Sequence, residues 1–102
     1  MTEIPISKPL YKILIELTGE RRFDVALHLA TKDWVRLKLQ EAEQQIKSFE
    51  QRYEMSFEKF QQAWENDQIT DKFSYAVEKD YWEWETVHAD LPRFRQISES
   101  LP

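Results

Sequence analysis

The stretch from Val35 to Tyr53 limits the folds open to this chain more than any other. Val35, Leu39, Ala42, Ile46, Phe49 and Tyr53 recur at alternating spacings of four and three, and polar residues fill the positions between them without a Gly or Pro. That spacing lays one apolar stripe along an otherwise polar helix. Propensity alone rarely holds so polar a helix in water, so the stripe must be covered, either by the rest of the chain or by a second copy in a homodimer.

At 102 residues, the chain makes a single small helical domain over 1–102, with a modest core and little left over for a deep pocket. A single Gly leaves tight hairpins, phosphate-cradling loops and multi-stranded sheets without their usual residues, so the expected class is mainly all-α. Aromatic residues make up 14% of the chain, four of them Trp; that much ring area suits an interface as readily as a core. The absence of cysteine excludes disulfides, thiolate nucleophiles and Cys-ligated metal centres. No apolar run approaches the roughly 20 residues of a membrane span. The start Met-Thr-Glu-Ile-Pro lacks the basic region of a signal peptide, so the expected address is cytoplasmic. Lys and Arg number nine against eight acids in residues 1–52 and five against eleven in 53–102, giving +1 and −6. The second half repels nucleic acid and attracts a basic protein surface.

Along the chain, Pro5 and Pro9 mark residues 1–9 as a loose arm. Over 10–17, Ile13, Ile15 and Leu17 alternate with Lys12 and Glu16, while Leu10, Ile13, Leu14 and Leu17 also form a helical face. The alternate β-branched residues favour a strand, which would have to pair with another chain because no second convincing strand is present. A long helix is expected over about 21–53, first with Phe23, Leu27, Ala30, Trp34 and Leu37 inward and then, after a one-residue shift, with the Val35 stripe inward. At roughly 50 Å it exceeds the width of a compact domain, so it either breaks near 31–33 or protrudes. Ser56 is a good N-cap for a short fold-back helix over 57–66, closing a helical hairpin around Phe57, Phe60 and Trp64. Asp80 and Glu83 have capping-box spacing for a last helix over about 81–100. Its stripe is Trp84, Val87, Leu91, Phe94, Ile97 and Leu101, with a kink or restart at Pro92.

Candidate chemistry is sparse. Glu85 and His88 have Glu-x-x-His spacing, but a di-iron bundle needs two such pairs, and the other histidine, His28, has only Asp24 upstream. Surface charge explains them better, and no metal or cofactor is expected. Arg22 and His28, five residues apart, fit the loose Arg-x(4–6)-His pattern of HEPN-type ribonucleases; Phe23 after the Arg and the acidic second half argue against that reading. Lys32, Arg36, Lys38, Lys47 and Arg52 are interleaved with acids, as on a solvated face, which leaves a small DNA-binding regulator as a further alternative.

Tyr75, Tyr81, Trp82 and Trp84 lie among Glu78, Asp80, Glu83 and Glu85. On a helix Trp82 and Trp84 point about 200° apart, so they cannot share one core. Large aromatics ringed by acids are what a docking surface for a basic partner requires.

Two blocks, Arg52-Tyr53-Glu54-Met55-Ser56-Phe57-Glu58-Lys59-Phe60 running on to Trp64, and Tyr75-Ala76-Val77-Glu78-Lys79-Asp80-Tyr81-Trp82-Glu83-Trp84-Glu85, resemble a family of small helical prokaryotic proteins common in cyanobacteria and archaea. Members look like antitoxins of two-gene toxin–antitoxin loci, often beside a gene for a TumE-type toxin. The resemblance covers roughly residues 20–90. It implies protein binding and neutralisation of a cognate toxin without catalysis, with the second block in the interaction surface. The family usually has Gly at the position of Glu54, which fits a left-handed residue ending the long helix.

Overall fold

The computed structural model describes residues 6–102. Four helices follow in order: α1 (Lys8–Thr18), α2 (Phe23–Tyr53), α3 (Phe57–Glu65) and α4 (Tyr75–Ser100). The fold is mainly all-α, and no strand occurs among the described residues.

α2 and α4 form an antiparallel pair. Arg52 near the end of α2 meets Asp80 near the start of α4 at 2.7 Å, and Glu43 faces Arg95 further along at 3.8 Å. The expected stripe lies on this seam: Val35, Ala42 and Phe49 are buried, with Leu39, Ile46 and Tyr53 half-buried between them. The chain's own α3 and α4 supply the cover, so the stripe is a core and not a seam between two copies. α3 folds back beneath the pair. Phe57 and Phe60 join Phe49, Ala42, Trp84 and Val87 in one cluster at that end of the molecule. Trp84 is its centre, fully enclosed, with the rings of Phe60, Phe49, Phe57 and Tyr53 at 5.0, 5.5, 5.5 and 5.8 Å. Its indole Nε1 has no hydrogen-bond partner.

Several boundaries differ from the sequence-based expectations. Residues 10–17 are helical. Ser7 caps α1 by accepting from the Leu10 N–H at 3.3 Å, Pro9 occupies the first turn, and Gly19 closes the helix at φ 70° with its N–H on the Ile15 carbonyl. A helix satisfies its own backbone, whereas a lone strand would leave a row of groups unpaired. Of the expected loose arm over 1–9, residues 1–5 lie outside the described residues, and Lys8 and Pro9 already belong to α1. α2 does not break near 31–33. The Thr31 hydroxyl bonds back to the Leu27 carbonyl at 2.8 Å instead of capping a new helix. α4 begins six residues before the expected start at 81, at Tyr75, because Ser74 is the N-cap and accepts from the Val77 N–H at 3.3 Å. The expected capping box at Asp80 is not formed. The chain also runs through Pro92 as one helix with no restart.

The α2 end carries a conformational cost. Glu54 sits in the left-handed region at φ 55°, ψ 37°, a position where a side chain costs about 1–2 kcal/mol relative to the right-handed well. Ser56 then starts α3, as expected, by accepting from the Lys59 N–H at 3.3 Å. Glu54→Gly is therefore expected to raise the unfolding free energy by about 1 kcal/mol, part of the relief being offset by the freer unfolded chain. Urea denaturation of the two proteins checks this; an unchanged or lowered midpoint would refute it.

The molecule is long and thin. Its extents are 56 × 26 × 25 Å and its radius of gyration is 19.5 Å, against about 13 Å for a compact chain of this length. The aromatic core occupies only the end where α3 packs. At the other end α1 lies across the first turns of α2, burying Ala26 and bringing Tyr11 within 6.0 Å of Phe23.

Candidate functional site

The aromatic and acidic segment 75–85 is wound into α4, and the helix sorts its side chains by angle. Trp84 turns inward and is fully enclosed. Tyr81 also packs into the cluster, with the rings of Trp64 and Phe60 at 4.7 and 5.6 Å. Both were expected to contact a partner; they are core residues, because they share a helical face with Val87 and the α2 stripe needs covering there. Trp82 points the other way and is 63% exposed, with Glu83 and Glu85 exposed beside it. Tyr75 stands almost free at the first turn, and Glu78 is half-buried. Phe73, just before the helix, is 81% exposed.

Trp82 borders a shallow groove of about 480 Å³ where α4 crosses α2. Ala42 and Val87 form the floor, Lys38, Glu41 and Gln45 one wall, and Trp82, Glu83, Thr86, Asp90 and Phe94 the other. The groove thus combines an exposed indole, an apolar floor and three carboxylates against one ammonium. Lys38 reaches Glu41 at 3.4 Å, Lys79 reaches Glu83 at 3.7 Å and Arg93 reaches Asp90 at 3.1 Å. These pairs are solvated and weak, and an incoming cation can compete for each carboxylate. The α2 wall, Lys38, Glu41 and Gln45, was not foreseen, because it reads in the sequence as an ordinary polar helix face.

Behind the groove a small polar network locks α4 onto the end of α2. One oxygen of Asp80, Oδ2, accepts from the Tyr53 hydroxyl at 2.6 Å and from Arg52 Nη1 at 2.7 Å. Burial pushes the Asp80 carboxyl up, but the bonds from Tyr53 and Arg52, with the Arg52 charge, outweigh it and hold the group below its ordinary value. Burial first, and then the bond to Asp80, raises the Tyr53 hydroxyl to about 12. The Asp80 contribution is present above the unfolded carboxylate value near pH ~4 and is lost as pH falls through the depressed folded value. The Tyr53 contribution is present below 10.0 and is lost as pH rises toward about 12. Asp80→Asn is expected to flatten the acid limb of a stability-against-pH curve. Asp80→Ala is expected to cost about 1–3 kcal/mol at neutral pH by stranding the Tyr53 hydroxyl. Denaturant titrations between pH 3 and 8 measure both, and an unaltered acid limb in the Asn variant would contradict the assignment.

Other expected chemistry is not assembled. Arg22 turns to Asp24 at 2.9 Å, and His28 is half-buried in a concavity that it lines with Asp24, Leu27 and Leu101. His88 stacks on Phe57 at 4.6 Å and faces Glu58 at 3.5 Å. Among the described residues no three His, Asp or Glu side chains converge as metal ligands would. Arg36, Lys38 and Arg52 each face a carboxylate, which lessens what they offer a phosphate backbone. Among the described residues no helix is long and apolar enough to cross a membrane. No protein-family model, curated protein or solved structure matches the chain.

Proposed function

We propose that the chain is a non-enzymatic, cytoplasmic protein-binding module, antitoxin-like, that neutralises a small partner toxin by covering its basic active surface. The observation that carries this reading is Trp82, an indole left 63% exposed beside an apolar floor and ringed by Glu41, Glu83 and Asp90. An exposed indole on a folded helix is an anchor for a partner's pocket. The surrounding carboxylates and the −6 charge of residues 53–102 steer a basic surface toward it. The resemblance of the segments 52–64 and 75–85 to antitoxins of two-gene loci points the same way. Neither the ribonuclease reading nor the DNA-binding reading draws comparable support, since Arg22 is paired with Asp24 and Arg36, Lys38 and Arg52 are paired with carboxylates too.

The test is co-expression with the product of the neighbouring reading frame. Growth arrest by that product, relieved by this chain together with recovery of a complex that weakens as salt rises, is the expected result. No arrest, or arrest that this chain leaves untouched, would overturn the reading.

A further inference from the structure

The groove is not the only apolar surface left open, and the charge lining the second one is balanced. α1 covers the first turns of α2 and then ends at Thr18. Beyond it, on the same side of α2, Trp34 is 59% exposed, Leu37 43% and Leu29 36%, and Leu17 at the tip of α1 is 80% exposed. With Ala30 and Asp33 these side chains enclose a concave patch of about 430 Å³. α4 cannot cover it, because Leu37 points about 200° away from Val35, which faces α4.

We infer that this patch is where two copies of the chain meet, across a twofold axis. Three observations select a second copy as the occupant. The first is charge. Within the patch Asp33 is answered by Arg36 at 3.4 Å, and Lys38 lies 4.8 Å over the Trp34 ring while pairing with Glu41. The charged side chain that lines the patch, Asp33, is thus already neutralised, so the surface can meet itself without repulsion. The groove cannot: a twofold contact there would set Glu41, Glu83 and Asp90 against their own copies.

The second is area. From their exposed fractions, Leu17, Leu29, Trp34 and Leu37 offer roughly 400 Å² of apolar surface per chain, close to the apolar share of the about 800 Å² that each partner buries in a standard interface. The third is shape. In a molecule 56 Å long, joining the ends that lack the aromatic cluster gives the open face of α2 a core. The dimer would present two grooves and bind two partner molecules. The inference concerns the chain alone and does not depend on what the groove binds.

Sedimentation velocity and light scattering on the purified chain from about 1 to 200 μM provide the test. The expected species is twice 12.4 kDa. Trp34→Glu with Leu37→Glu should raise the dimer dissociation constant at least ~100-fold with helical circular dichroism retained; Leu17→Glu, on α1, serves as an independent variant should the pair disturb folding. Trp82→Glu should dimerise as the parent does. The inference is overturned by a parent that stays monomeric throughout, by a dimer that survives the patch substitutions, or by one that Trp82→Glu dissolves.

Discussion

Trp84→Ala is expected to lower the unfolding free energy by about 3–5 kcal/mol, a loss on the scale of the whole stability of a small domain. Trp84 is 0% exposed, and every other part of the core leans on it: Phe49 and Tyr53 from α2, and Phe57 and Phe60 from α3. Truncation opens a cavity that only ring repacking could fill, and the rings are already held by their own helices. The core is confined to one end of a thin molecule, and Trp84 is the ring that Phe57 and Phe60 of α3 share with Phe49 of α2, so the hairpin should loosen as a unit. Trp84→Phe is expected to cost much less. It keeps most of the aromatic contact and removes the indole N–H that lacks an acceptor. Urea unfolding followed by circular dichroism measures both. A loss below about 1 kcal/mol for the alanine variant would mean that the ring cluster is not the core.

Trp82→Ala, only two residues away, is expected to do the reverse. Stability should change by no more than about 0.5 kcal/mol, because the indole is mostly in water. Affinity for the partner should fall about 30-fold or more, the loss of an anchor worth at least about 2 kcal/mol. Glu83→Lys combined with Asp90→Lys should act differently, slowing association and flattening its salt dependence with less effect on dissociation. Titration calorimetry and association kinetics with the purified partner separate the two effects. Equal affinity for the parent and Trp82→Ala would place the contact elsewhere on the chain.

The opposite fates of these two residues show how far the sequence carries. Trp84 belongs to the stripe that continues through Val87, Leu91 and Phe94, and the 3.6-residue period alone sets Trp82 on the other side. Tyr81 was harder to place. It reads as one more aromatic among acids, and only α3, returning beneath α4, brings Trp64 and Phe60 against it. Residues 10–17 satisfy both a two-residue and a helical period; Ser7, Pro9 and Gly19 then act together as caps. The start of α4 is expected at 81 from the Asp80 and Glu83 spacing, whereas Ser74 is the cap that forms. Tyr53 and Arg52, far away in sequence, occupy the Asp80 carboxylate. A break in α2 was expected only from the width of a compact domain, and the chain is not compact.

The sequence by itself therefore determined the helical class, the stripe from Val35 to Tyr53 and the turn into α3 at Ser56. Each of these depends on residues within a few turns of one another, where backbone periodicity and capping act. Tertiary structure alone decided that α4 rather than a second copy covers the stripe, that Lys38 and Glu41 share a groove with Trp82, and that Trp34 and Leu37 remain open. Those outcomes depend on where α2 and α4, which are not consecutive in the chain, cross. No local pattern encodes that crossing; the shapes of the side chains buried in it select it.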